Sequence, residues 1–201
     1  MKKILVGAAI ALLSATQAHA ADFNFSGNIA TQKDVISINF TLAADATNVK
    51  VWTDSFQNAV NFDPITAVWK QSGADWSLVG QNDDNASIAP GQTYYDSGLT
   101  FGSLAAGSYR FSIATFNNFA NGTLFSQGFA FDNQAPISLA TWCQPSSHCG
   151  MGTYYSVHLS GVDGATNVTA AVPEPETYAM LLAGLGLLGG MARRRKSKIA
   201  A

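Results

Sequence analysis

Apolar and polar residues alternate with a period of two in several segments of the middle of the chain. The clearest run places Ile36, Ile38, Phe40 and Leu42 between Ser37, Asn39 and Thr41. Similar runs cover residues 23–29, 49–51, 109–114 and 155–160. Successive side chains of a strand point to opposite faces, so each run predicts a strand with one buried and one solvated face. With turn signals between the runs and no sustained helical period, the pattern predicts an all-β fold, an antiparallel, jelly-roll-like β-sandwich.

Residues 21–172 have the size of a single domain and an unusual charge distribution. They contain four basic residues against eleven aspartates and no glutamate, a formal net charge of −7. Asn, Ser, Thr, Gly and aromatic residues are frequent there, which suits strands and turns better than helices. No basic stripe is present to follow a phosphate backbone, so nucleic acid is not an expected partner.

The first twenty residues have the pattern of a secretory signal peptide. Lys2 and Lys3 form a basic start, residues 4–13 are apolar, and Ala18-His19-Ala20 matches the small-x-small cleavage pattern. We expect cleavage after Ala20 by signal peptidase, following export by the Sec machinery. The alternative is an N-terminal membrane anchor, but the apolar run is far shorter than the ~20 residues that a span needs.

Residues 173–201 form a tail of three parts. It begins with Pro173, Glu174 and Pro175, continues with the uncharged, Leu- and Gly-rich residues 177–192, and ends with the basic cluster 193–198. The apolar part predicts a single transmembrane helix, and the cations after it should keep that end in the cytoplasm. The domain would then lie outside the membrane.

This three-part tail resembles the PEP-CTERM sorting signal. The box is Pro173-Glu174-Pro175, and the basic stop is Arg193, Arg194 and Arg195. The resemblance implies a Gram-negative host and an exosortase, a membrane transpeptidase, as the processing partner. It further implies that the protein resides transiently in the inner membrane, is cleaved near the box, and then reaches the cell surface or the exopolysaccharide matrix.

Short segments of the middle resemble secreted β-sandwich domains akin to the pre-peptidase C-terminal domain. They occur between residues 23 and 131 and include Phe23-Asn24-Phe25-Ser26-Gly27, Val51-Trp52-Thr53-Asp54-Ser55-Phe56 and Leu104-Ala105-Ala106-Gly107-Ser108-Tyr109. The section after residue 131 departs from that pattern. The resemblance implies a domain that assists secretion, binding or stability and has no catalytic machinery.

Cys143 and Cys149 are the two cysteines of the chain. An exported chain meets an oxidising compartment, so we predict a disulfide that closes this short loop. The alternative is a metal site formed with His148. Zinc would need a fourth ligand, and the Cys-x2-Cys spacing is missing.

Several aspartates fall in or near predicted turns, where carboxylate oxygens could converge on Ca²⁺. They are Asp54, Asp63, Asp83, Asp84 and Asp132. The alternative is that each is an ordinary turn residue whose side chain bonds nearby backbone. A calcium ion would be structural, and no other cofactor is expected.

Catalytic motifs are not evident in the chain, so the leading hypothesis is a non-enzymatic protein of the cell surface or extracellular matrix, with a role in biofilm. The first alternative is a carbohydrate-binding module that acts on exopolysaccharide. Its candidate ligand-binding residues are Trp52 and Trp69, because exposed indoles stack on sugars; the competing hypothesis is that they pack in the core. The more distant alternative is a secreted hydrolase.

Overall fold

The computed structural model describes residues 21–144 and 148–169. This part of the chain holds nine strands and one short 3-10 helix, η1 (Phe125–Gln127). The strands are β1 (Ala21–Asn28), β2 (Ile36–Leu42), β3 (Ala46–Thr53), β4 (Pro64–Ser72), β5 (Asp75–Asn82), β6 (Gly98–Leu104), β7 (Gly107–Thr115), β8 (Tyr154–Val162) and β9 (Gly164–Asn167).

The ends of the chain fall outside the described residues. The cleavage site after Ala20, the Pro173-Glu174-Pro175 box and the expected span over residues 177–192 all lie there. Within the residues that the structure describes, no helix is long and apolar enough to cross a membrane.

Two antiparallel sheets form the sandwich, which confirms the predicted fold class. One sheet has the strand order β1-β8-β3-β6 and the other β5-β4-β7-β2-β9. Apart from β9, this order is that of an eight-stranded jelly roll, which is built from two Greek keys. The short strand β9 extends the second sheet by pairing with β2.

The main core lies between the two sheets. The run that alternates most regularly in sequence, β2, buries Ile36, Ile38, Phe40 and Leu42 and turns its polar residues outward. Strand β8 contributes Tyr155, Val157 and Leu159 in the same way. Each fully buried aliphatic side chain of this kind stabilises the fold by about 1.5–3 kcal/mol relative to exposure.

A second apolar cluster covers the outer face of the five-stranded sheet. Trp69 is fully buried there, and its ring meets the edges of Phe125 and Phe129 from the long connection after β7. Arg110 lies over the Trp76 ring at 4.4 Å. Strand β4 is therefore buried on both faces over its first six residues, and its sequence does not alternate.

Long connections gather at one end of the sandwich, which we call the loop end. They are the β3–β4 loop (residues 54–63), the β5–β6 loop (83–97) and the β7–β8 connection (116–153). The opposite end has only turns of one to three residues. The loop end is thus where the fold brings together side chains from distant parts of the sequence.

Candidate functional site

Three carboxylates meet at the loop end. Asp63 directly precedes β4, and Asp83 and Asp84 directly follow β5. The two strands are antiparallel neighbours in which Thr66 faces Asn82, so the start of one lies beside the end of the other. One carboxylate oxygen from each of the three residues lies within 4.8 Å of the other two. We call Asp63, Asp83 and Asp84 the acidic cluster.

The innermost member of the acidic cluster is almost fully enclosed. Asp63 is 3% exposed, and its Oδ2 accepts a hydrogen bond of 2.8 Å from Nε2 of Gln144. Three buried oxygens here have no hydrogen-bond partner among the described residues: Asp63 Oδ1, Asp83 Oδ1 and Gln144 Oε1. A buried polar atom without a partner costs about 1–3 kcal/mol of stability. The described residues therefore leave the hydrogen bonding of these oxygens unsatisfied.

The surroundings of the acidic cluster disfavour the negatively charged form of its three carboxylates. Burial is the main cause that raises the pKa of Asp63 to about 7, with contributions from Asp84, Asp83 and Asp96, while the hydrogen bond from Gln144 opposes the rise. Burial, followed by the nearby charge of Asp84, raises the pKa of Asp83 to about 6. Burial also raises the pKa of Asp84. Among the described residues, no lysine or arginine forms a salt bridge with the cluster.

Asp96 shows what a satisfied buried carboxylate looks like in the same region. It is fully buried, and it accepts hydrogen bonds from the backbone N–H groups of Phe56 (3.1 Å) and Thr93 (2.7 Å). The hydroxyls of Thr53 and Thr93 also donate to it, each at 3.1 Å. Asp96 therefore ties two loops to the end of β3, a role that Asp63 does not have.

The predicted disulfide between Cys143 and Cys149 is present, and it positions Gln144. The two cysteines face each other as an antiparallel bridge, and the backbone N–H of Gln144 donates to the carbonyl of His148 at 2.7 Å. These contacts hold the Gln144 side chain over Asp63. Because both sulfur atoms are bonded to each other, they are not available as zinc ligands.

Two of the predicted calcium ligands lie elsewhere, which corrects that part of the prediction. The Asp54 carboxylate pairs with Nε2 of His158 at 2.9 Å on the outer face of the four-stranded sheet. Asp132 accepts a hydrogen bond of 2.8 Å from the backbone N–H of Phe129, as turn aspartates commonly do. Asp63, Asp83 and Asp84 remain together.

The surroundings of His158 do not have the geometry of a hydrolase triad. Ser156 Oγ and Asp54 Oδ2 both approach Nε2 of His158, at 3.3 and 2.9 Å. The other ring nitrogen, Nδ1, faces Oδ1 of Asn24 at 2.6 Å. A triad needs the nucleophile and the carboxylate on opposite nitrogens of the imidazole, so this serine is not activated in that way.

The two tryptophans proposed as ligand contacts have different environments. Trp69 is fully buried and donates its Nε1–H to Ser112 Oγ at 2.8 Å, so it packs in the core, as the competing hypothesis held, and is not available to a ligand. Trp52 is half-buried, and its ring stacks on His158 with the centroids 5.1 Å apart. Trp52 and His158 face each other on β3 and β8, and we call them the Trp52–His158 pair.

Sequence reasoning missed Gln144 and Asp96. Gln144 lies within the disulfide loop, far in sequence from the acidic cluster, and only the fold brings it to Asp63. Asp96 follows Thr93 by three residues, the spacing at which a threonine hydroxyl and backbone N–H reach a carboxylate. That spacing was a signal that could have marked Asp96 as a structural residue.

Comparisons with known proteins inform the sandwich and the tail differently. No curated protein matches the sequence at a significant level. Similar solved structures include the Yersinia pseudotuberculosis-derived mitogen, with 12% sequence identity over 76% of this chain and 98% of that chain and a TM-score of 0.41. This similarity carries no inference about function. The resemblance to pre-peptidase C-terminal domains is not tested and stays a prediction.

The tail gives a specific match. Residues 171–196 match the family model of the PEP-CTERM protein-sorting motif, which includes the Pro173-Glu174-Pro175 box and Arg193, Arg194 and Arg195. The resemblance of the tail to the PEP-CTERM sorting signal is thereby confirmed. The chain carries a PEP-CTERM sorting motif, which implies exosortase-dependent sorting to the cell surface of a Gram-negative bacterium.

Proposed function

We propose that the protein is a non-enzymatic component of the cell surface or exopolysaccharide matrix. The observation that carries this proposal is the order of its parts. A β-sandwich whose last strand ends at Asn167 is followed directly by a sorting motif over residues 171–196. Such a chain delivers a folded domain to the cell exterior, where its outer surfaces are free to contact other matrix components.

The chemistry of the sandwich supports a binding or structural role over catalysis. Asp63 and Asp83 have raised pKa values that would suit an acid or a base. Asp63, however, is 3% exposed and bonded to Gln144, so little of its carboxylate is accessible to a substrate. His158, which is partly buried, is engaged by Asn24 and Asp54.

The matrix role predicts how the protein distributes in its host. In a wild-type culture we expect most of the processed protein in the exopolysaccharide fraction. In a strain that makes no exopolysaccharide, the same protein should move to the culture medium, because the material that retains it is gone. Immunoblots of matrix, membrane and medium fractions measure this, with an outer-membrane porin as the control for lysis. An unchanged distribution between the two strains would contradict a matrix role.

A second candidate function is carbohydrate binding through the Trp52–His158 pair. The two stacked rings lie on the outer face of the four-stranded sheet, with Asn24, Ser156 and Asp54 around His158. An aromatic surface surrounded by amide, hydroxyl and carboxylate groups suits a sugar ring, which has apolar C–H faces and polar edges.

Replacing Trp52 with alanine should abolish this binding. We expect Trp52→Ala to lose at least ~90% of the signal for host exopolysaccharide in a binding assay, because truncating a central aromatic contact typically costs 2 kcal/mol or more. Tyr94→Ala is the matched control, since Tyr94 is an aromatic residue that is 55% exposed in the β5–β6 loop. Equal binding by both variants and the parent protein would remove the carbohydrate hypothesis.

A further inference from the structure

The acidic cluster has features that a turn of ordinary aspartates does not. Its three carboxylates come from two separate segments of the chain, and Gln144 comes from a third. Asp63 and Gln144 are 3% and 4% exposed, and each has a buried oxygen without a hydrogen-bond partner. Those two oxygens and Oδ1 of Asp83 are buried, so the fold has already removed them from water.

We propose that Asp63, Asp83, Asp84 and Gln144 form a calcium site that joins three segments at the loop end. All four side chains offer oxygen, the ligand that hard cations such as Ca²⁺ prefer, and no sulfur or nitrogen ligand belongs to the cluster. The cation supplies the positive charge that the described lysines and arginines do not bring to these carboxylates.

The size of the cluster fits Ca²⁺. The ligand oxygens lie within 4.8 Å of one another. Two oxygens that bind the same Ca²⁺ at metal–oxygen distances of 2.3–2.6 Å are at most about 4.6–5.2 Å apart, so three oxygens this close can share one ion. Mg²⁺, by contrast, demands near-ideal octahedral geometry at shorter distances. Ca²⁺ also accepts an irregular shell of six to eight oxygens, and water completes the shell on the side of Asp84, which is exposed.

Gln144 takes part through a small rearrangement. Its amide now directs Nε2 toward Asp63 Oδ2 at 2.8 Å. A half-turn about the Cγ–Cδ bond exchanges the amide nitrogen and oxygen, so that Oε1 lies next to Asp63 Oδ2. Two oxygens at that distance repel each other unless a proton or a cation is bound to both, and we expect bound calcium to select this orientation.

The bound ion would fasten the disulfide loop to the sandwich. Asp63 directly precedes β4, Asp83 and Asp84 begin the β5–β6 loop, and Gln144 follows Cys143. Calcium therefore links the disulfide loop to segments that precede it by 60 or more residues. This site is independent of the sorting tail and of the Trp52–His158 pair, so its test is separate from theirs.

Calorimetric titration of the exported protein, purified in mild detergent, tests the site. The wild-type protein should bind one Ca²⁺ with a dissociation constant of about 10⁻⁴–10⁻³ M, the range of extracellular modules. Asp84→Asn, which removes an exposed ligand charge, should weaken binding about tenfold or more. Asp163→Asn is the matched control and should bind like wild type, because Asp163 accepts a backbone hydrogen bond in the turn at the opposite end.

A second variant gives the proposal a readout that a purely structural aspartate would not show. Asp63→Asn should lose measurable Ca²⁺ binding, yet in EDTA near pH 8 it should melt at a higher temperature than wild type, because it removes a buried charge without a partner. Addition of Ca²⁺ should raise the melting temperature of wild type and of Asp163→Asn, but not that of Asp63→Asn. Three results would overturn the site: no Ca²⁺ binding by wild type, Mg²⁺ binding as tight as Ca²⁺ binding, or equal loss of binding in Asp84→Asn and Asp163→Asn.

Discussion

The metal-free protein is expected to lose stability as the pH rises from about 4 to about 7. Burial is the chief cause that raises the pKa of Asp63 to about 7 and that of Asp83 to about 6, both from an ordinary value of 3.8. Across this window the folded state holds protons that the unfolded state has released. Stability falls with pH wherever the folded state binds more protons. The decrease is complete once the pH exceeds the folded pKa values.

The size of this decrease should be measurable. One unit of pKa difference corresponds to about 1.4 kcal/mol, so Asp63 alone should account for roughly 2–4 kcal/mol. The groups that face Asp63 are Asp83, Asp84 and Asp96, and the negative charge of each raises the pKa of Asp63 further. The hydrogen bond with Ser126 lowers the pKa of Asp75. The contribution of Asp75 to stability is therefore present at neutral pH and is lost only as the pH falls into the acidic range.

Urea unfolding in EDTA at several pH values between 4.5 and 8 measures the effect. Asp63→Asn should flatten the pH dependence, and Asp163→Asn should leave it as in wild type. Saturating Ca²⁺ should also flatten it, because metal binding displaces the protons from its ligands. Equal stability of the metal-free wild type at pH 5 and pH 7.5 would show that the carboxylates of the acidic cluster are not held in a desolvated state.

Replacing Arg193, Arg194 and Arg195 together with glutamine should prevent correct sorting. In the orientation that the sequence predicts, the three guanidinium groups stop translocation, since moving each one into the bilayer centre costs about 2.5–3.5 kcal/mol. Without them the predicted span 177–192 would no longer be fixed with its end in the cytoplasm, and the box would lose its expected position at the outer side of the membrane.

Cell fractionation of the native host measures this effect. Most of the triple variant should appear in the periplasm or the medium, and little should reach the surface. Lys198→Gln, which removes one charge beyond the arginines, is the control and should be sorted normally. Normal surface levels of the triple variant would mean that the arginines do not define the orientation of the tail.

The alternating sequence pattern predicted the strands that have one buried and one solvated face. In β2 the alternation of Ile36, Ile38 and Phe40 with polar residues corresponds directly to buried and less buried positions. Strand β4 was not predicted, because the chain covers its outer face as well, and a strand buried on both faces does not alternate. For the same reason the sequence left two environments open for Trp69, since the residues that cover it come from the β7–β8 connection.

The candidate site was predicted only in part, because it depends on long-range pairing. Asp83 and Asp84 could be assigned to a turn from the local sequence, and Asp63 could be recognised as an acidic residue near another turn. That these residues meet follows from the pairing of β4 with β5. The approach of Gln144 depends on the path of the connection from residue 116 to 153, for which the local sequence contains no comparable signal.

The most direct test of the central claim is the intact mass of the protein isolated from the surface of its native host. Exosortase-dependent sorting predicts a mature chain that begins at Ala21 and ends near the Pro173-Glu174-Pro175 box, having lost residues 1–20 and the segment beyond the box. A strain without the exosortase should retain the tail on its membrane-bound form. A surface protein whose mass still includes residues 177–201 would contradict the account, because the tail would then act as a membrane anchor only.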